Sequence, residues 1–248
     1  MKFDIKKFPI GKFDSILERG LSNGLGSQGG QVCIEAAICE AMNLPHGDDP
    51  GCVASSVRLF KIELNDSQWS SAEARAKGLR DLGLAQLGSL GVVDDVEFTV
   101  RLSKKIISVL IPKIFRQSLS GYPECLAAAK RCEDEGTPES AAESAWSAES
   151  ARSAARSAWS ASAASASAAS AASAARSAAE SAGSAWSAES ARSAARSAWS
   201  AAWSAQSAAW SAQSAESAGS AADAYLSLAA NLALETLREL NSPGIDLL

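Results

Sequence analysis

The sequence predicts an all-α protein, a helical head domain over residues 1–135 followed by long Ala/Ser-rich helices over 136–248. Residues 138–240 are built mainly from Ser and Ala, and SAWSAESARSAARSAWSA occurs at 144–161 and again at 184–201, 40 residues apart. Ala is the best helix former and Ser costs only about 0.5 kcal/mol more inside a helix. Between Thr137 and Thr236 there is no Val, Ile, Thr or Phe, so a sheet would lack the side chains that fill its pleat. In the first half, apolar residues recur at helical spacing between capping residues.

In chain order, residues 1–12 carry Lys2, Lys6, Lys7 and Lys12 among Phe3, Ile5, Phe8 and Ile10, which suggests an arm or a strand-like lead-in packed on the head. Residues 13–21 read as a short helix, and the glycines of 23–30 as a loop. Residues 31–44, QVCIEAAICEAMNL, form an apolar helix holding Glu35 and Glu40. These acids are five apart and do not share a face. With Ile34, Ala36, Ala37 and Ile38 around it, Glu35 is expected either to reach water or to pair with an arginine of the head.

The loop PHGDDPGC (45–52) is the most suggestive polar cluster, with the only histidine, His46, beside Asp48, Asp49 and Cys52. Asp49-Pro50 reads as the cap and first residue of a helix running to about Leu64. A ligand site would draw on His46, Asp48, Asp49, Cys52 and Glu35. The spacing matches no zinc pattern, and no third group is visible to orient a Cys52–His46 nucleophile pair. No catalytic residue, metal or cofactor is therefore expected.

Ser70-Ser71-Ala72-Glu73 reads as a capping box opening a helix to about Leu87, whose Gly78 and Gly83 suggest close neighbours. Asp94 caps the next helix, which runs to about Leu119 and is interrupted near Pro112. Its face Phe98, Leu102, Ile106 and Leu110 should be core. Tyr122-Pro123 starts a short helix with Cys125 and Cys132 on one face, a spacing that suits packing. Thr137, Pro138 and Glu139 then signal a helix start, and Asn241-Ser242-Pro243-Gly244 a helix end.

In the Ala/Ser segment, Trp159, Trp199, Trp203 and Trp210 fall within about 80° on a helical wheel, with Trp146 and Trp186 to one side. One face is bulky and the other small, so helix axes can approach at the short end of the ~8–10 Å range. A single rod would be about 150 Å long at 1.5 Å per residue. It would leave Trp146, Trp159, Trp186, Trp199, Trp203 and Trp210 in water. Self-association, or folding back at Gly183 and Gly219, would cover them, and these tryptophans are the expected interface of a homo-oligomer.

Net charge is −5, and after Thr137 there are ten acids and six arginines. That disfavours nucleic acid as a partner. No strongly apolar run reaches the ~18 residues of a membrane span. Five cysteines, an odd number with no leader-like start, suggest the reducing cytoplasm.

The motifs QVCIEAAICEAMNLPHGDDPGCV and LNDSQWSSAEARAKGLRDLGLAQLGS, with the Ala-rich repeats ending in SAADAYLSLAANLALETLRELNSPG, resemble a group of uncharacterised bacterial and phage proteins. The resemblance covers most of the chain and implies no activity and no catalytic residues. The expected function is that of a structural, self-assembling protein. The alternative is a small-ligand or protein-binding module using the 45–52 loop. Regular Ala/Ser rows could also match a crystal surface such as ice, but Arg and Glu interrupt them and Thr is absent.

Overall fold

The fold is all-α. The computed structural model describes residues 3–157, 171–173, 175, 176, 179 and 215–248. The helices are α1 (Ile10–Leu17), α2 (Ile34–Ala41), α3 (Ser55–Asn65), α4 (Ala72–Ala85), α5 (Asp95–Lys105), α6 (Ile111–Ser118), α7 (Pro123–Glu135), α8 (Pro138–Ser157) and α9 (Ala215–Glu239). Among the described residues the only β-pairing is two isolated bridges, Leu21 with Val32 and Gly26 with Val32.

The lead-in is not a strand. Ile5–Lys7 form a 3-10 turn and α1 opens at Ile10. Lys12 reaches from α1 to the end of α2, donating to the Glu40 carbonyl at 2.7 Å and to Asn43 Oδ1 at 2.6 Å. A cation there satisfies the carbonyls a helix end leaves over. At the other end of α2, Cys33 Sγ accepts from the Ala36 amide at 3.3 Å.

α2 packs against α1, α3 and α4. Apart from Glu40 its residues are all buried, as its apolar circumference requires. Glu40 instead pairs with Arg19 at 2.8 Å.

α3 starts later than the Asp49-Pro50 signal suggested. Its N-cap is Ala54, which supplies no side-chain bond. Ser89 Oγ accepts from the Ala54 amide at 2.8 Å and Asp95 Oδ1 from the Ser56 amide at 2.7 Å. Asp49 Oδ1 closes a local turn onto the Gly51 amide at 2.9 Å. The cap of α4 is Ser71, accepting from Ala74 at 3.0 Å. Asp94 caps α5, accepting from Glu97 at 2.8 Å.

The interruption near Pro112 is a π-helical turn over Ile106–Leu110 that joins α5 to α6. A proline ring has no amide to donate and crowds the carbonyl four residues back, and a widened turn relieves both problems. Phe98, Leu102, Ile106 and Leu110 are fully buried.

The core is continuous from the first half of the chain into the last helix. α9 lies against α4 and α5 and buries Ala222, Tyr225, Leu226, Ala229, Ala233 and Leu237. It continues through Gly219. Gly78 admits this arrangement, because a Cβ there would stand 2.3 Å from the Trp69 ring and 3.3 Å from Ser227 Oγ. Lys105 bridges to Glu239 at 2.8 Å and Glu235 at 3.3 Å. Asp223 accepts from the Ser70 amide at 2.9 Å.

Gly136, with φ 60°, ends α7 and turns the chain into α8. Thr137 Oγ1 accepts from the Ser140 amide at 3.2 Å. α8 buries Ala141, Ala145, Ala148 and Ala151, and among the described residues α7 is its main neighbour. The two buried thiols of α7 meet it: Cys132 Sγ lies 2.9 Å from Ser144 Oγ and Cys125 Sγ 3.5 Å from the Ser147 carbonyl.

Candidate functional site

Two features stand out from simple packing: a buried ion pair with a glutamine bonded to it and a small cleft beside it, and an open groove on α8.

Glu35 and Lys61 are both completely buried, with Lys61 Nζ 3.0 Å from Glu35 Oε1. Gln86, at the end of α4, donates from Nε2 to Glu35 Oε2 at 3.0 Å. Burial pushes the Glu35 carboxyl above its ordinary range, and Lys61 and Gln86 pull it back. Burial likewise lowers the Lys61 ammonium, and Glu35 opposes that. The Lys61–Glu35 contact is an ion pair not aligned as a hydrogen bond, and Gln86 Oε1 separately lacks a hydrogen-bonding partner. Such groups are costly in a low-dielectric interior.

Glu35 therefore neither reaches water nor pairs with an arginine. Its partner is a lysine of α3. The signal for it is in the sequence. Val57, Phe60 and Leu64 form an apolar stripe, and Lys61, four residues after Val57, sits inside that stripe. A lysine there must either leave the core or bring a counter-ion. Gln86, between Ala85 and Leu87, carries no comparable signal.

Three buried thiols lie close enough to feel these charges. Cys39 is pushed to about 11, chiefly by burial and then by Glu35. Cys33 and Cys52 are also raised, again mainly by burial. A raised thiol is a poor nucleophile.

Beside the ion pair is a cleft of about 70 Å³, lined by Gly24, Leu25, Cys33, Glu35, Asp48 and Asn65 together with Ile34, Ile62 and Asp66. It brings together two of the residues read from the sequence, Glu35 and Asp48. His46, Asp49 and Cys52 do not line it. Asp48 and Asp49 instead face Arg58, at 3.7 and 3.8 Å. His46 is half-buried and Cys52 buried. Among the described residues no group of three His, Cys, Asp or Glu side chains is placed to hold a metal ion.

No protein-family model, curated protein or solved structure matches the chain. The chemistry of these sites is therefore read from the chain's own residues.

The second feature is a groove of about 580 Å³. α8 lines it with Glu139, Ala142, Ala145, Trp146 and Glu149, and Arg176 and Ala179 line it as well. Trp146 is 76% exposed, the most exposed of the large apolar side chains described. Of the six tryptophans expected at an interface, only Trp146 is among the described residues. Trp159, Trp186, Trp199, Trp203, Trp210 and Gly183 lie outside them.

Among the described residues no helix is long and apolar enough to cross a membrane. The five cysteines are all free and buried.

Proposed function

We propose that this is a structural protein that self-associates, its Ala/Ser-rich helices using their small faces for close packing and presenting their tryptophans to other copies. The observation that carries this reading is Trp146, a large apolar side chain 76% exposed beside an open groove. A monomer gains nothing from holding an indole in water, and exposed apolar surface of this kind marks contact sites. A different face of the same helix, Ala141, Ala148 and Ala151, is buried, so among the described residues α8 turns one face to the molecule's own core and presents Trp146 on another. The 40-residue repeat of the same residues fits a protein that offers a contact more than once. The five free thiols support a reducing compartment such as the cytoplasm. Neither nucleic acid nor membrane enters this reading: the chain carries a net charge of −5, and among the described residues no helix is long and apolar enough to cross a membrane. Light scattering on the full chain tests it: the mean mass should rise with concentration, and a strictly monomeric protein at high micromolar concentration overturns the proposal.

A second reading rests on the 70 Å³ cleft, where Glu35 and Asp48 meet. A small ligand with hydrogen-bond donors suits such a lining. Thermal-shift measurements with small amines and metabolites test it, and no stabilisation by any of them counts against it.

A further inference from the structure

The groove on α8 combines three properties that belong together in a contact between like molecules. It has a protruding apolar knob, Trp146. It has small apolar lining residues, Ala142, Ala145 and Ala179. It also carries both signs of charge, the acids Glu139 and Glu149 and the base Arg176, with Glu139 and Arg176 exposed. A hole and a knob on one face are self-complementary. In a two-fold contact the same patch serves both partners, so residue i of one copy meets residue j of the other and the reverse. A groove of one sign would repel its own copy. One carrying an acid and a base can pair Glu139 of each molecule with Arg176 of the other.

From this we infer that the occupant of the groove is a second copy of this chain, joined about a two-fold axis. The Trp146 indole of each copy enters the groove of the other, and Glu139 faces Arg176 across the contact. The inference rests on the self-association proposed above and adds its surface and symmetry. Trp is the residue most often found at the energetic centre of such contacts, ringed by polar groups that exclude water. The short lining side chains leave room for it.

Sedimentation equilibrium on the full chain, from low to high micromolar concentration, reads the outcome. Trp146→Ala should weaken dimerisation by about tenfold or more while leaving the far-UV circular dichroism melt unchanged, because the removed ring is exposed. Glu139→Arg and Arg176→Glu should each weaken it, and the double reversal Glu139→Arg with Arg176→Glu should restore it. Self-association unaffected by all four variants overturns this surface and leaves the assembly reading standing. Mass that grows past the dimer yet is lost in Trp146→Ala overturns the two-fold. A wild-type chain that stays monomeric overturns both.

Discussion

Replacing Lys61 with methionine isolates the cost of the charge buried on α2. The ammonium sits 3.0 Å from Glu35 Oε1, and both side chains are fully buried. Removing one member of such a pair leaves the other without compensation and typically costs about 3–5 kcal/mol. Native domains have only about 5–15 kcal/mol to lose. The urea midpoint should therefore fall by about 1–2.5 M, for a slope of about 2–3 kcal/mol/M.

The loss should depend on pH in a definite direction. Burial already holds Glu35 above its ordinary value, with Lys61 as the strongest opposing influence. Without Lys61 the folded-state pKa rises further, and the folded protein keeps a proton that the unfolded chain releases above pH ~4.3. The folded state then binds more protons, so stability declines as pH rises, by up to about 1.4 kcal/mol per pH unit until the raised pKa is passed. The variant should be least impaired near pH ~4. Adding Glu35→Gln removes the stranded charge and keeps an acceptor for Gln86 Nε2. The double variant should regain most of the loss, since buried pairs replaced as a pair are often neutral. Urea titration followed by circular dichroism at several pH values measures all of this. A Lys61→Met cost under about 1 kcal/mol, or a double variant as impaired as the two single changes added, would refute the reasoning.

Other consequences are simpler to read. Gly78→Ala would drive a methyl group to 2.3 Å from the Trp69 ring, and overpacking of this kind should cost about 1–3 kcal/mol in a thermal melt. Asp94→Ala removes the cap of α5 and should cost about 1 kcal/mol by the same measurement. Tyr225 donates to Gln117 Oε1 at 2.6 Å, and burial raises it to about 12. A near-UV absorbance titration should show its ionisation only near that pH, and stability should drop from about pH 10, where the unfolded chain ionises, up to that value. The five thiols are all buried, so a thiol reagent should be nearly silent on native protein and count five in denaturant.

The helices were legible because their signals are local. Asp94 caps where it stands, Thr137-Pro138 opens α8, and the Phe98–Leu110 stripe is buried as its spacing requires. The misreadings came from distant partners. Asp49 looked like a cap, but α3 is capped by Ser89 from the α4–α5 connection and by Asp95 at the start of α5, 35 and 39 residues away from the amides they accept from. The counter-ion of Glu35 lies on another helix, and only the lysine's place in an apolar stripe hinted at it. Pro112 announced a break but not the π-turn that accommodates it. Of the candidate site, Glu35 and Asp48 share the cleft. His46, Asp49 and Cys52 stay outside it, because the loop turns Asp49, like Asp48, toward Arg58 and tucks Cys52 into the core.

The bond from Ser70 to Asp223 spans 153 residues, and this separation sets a timetable for the nascent chain. At about 5–20 residues per second, roughly 8–30 s pass between synthesis of α4 and arrival of its partner α9. During that interval Leu79, Leu82 and the ring of Trp69 have no lid. A ribosome-associated chaperone would find its substrate there, and translation stalled inside the repeat would release a molecule whose centre is still unsealed.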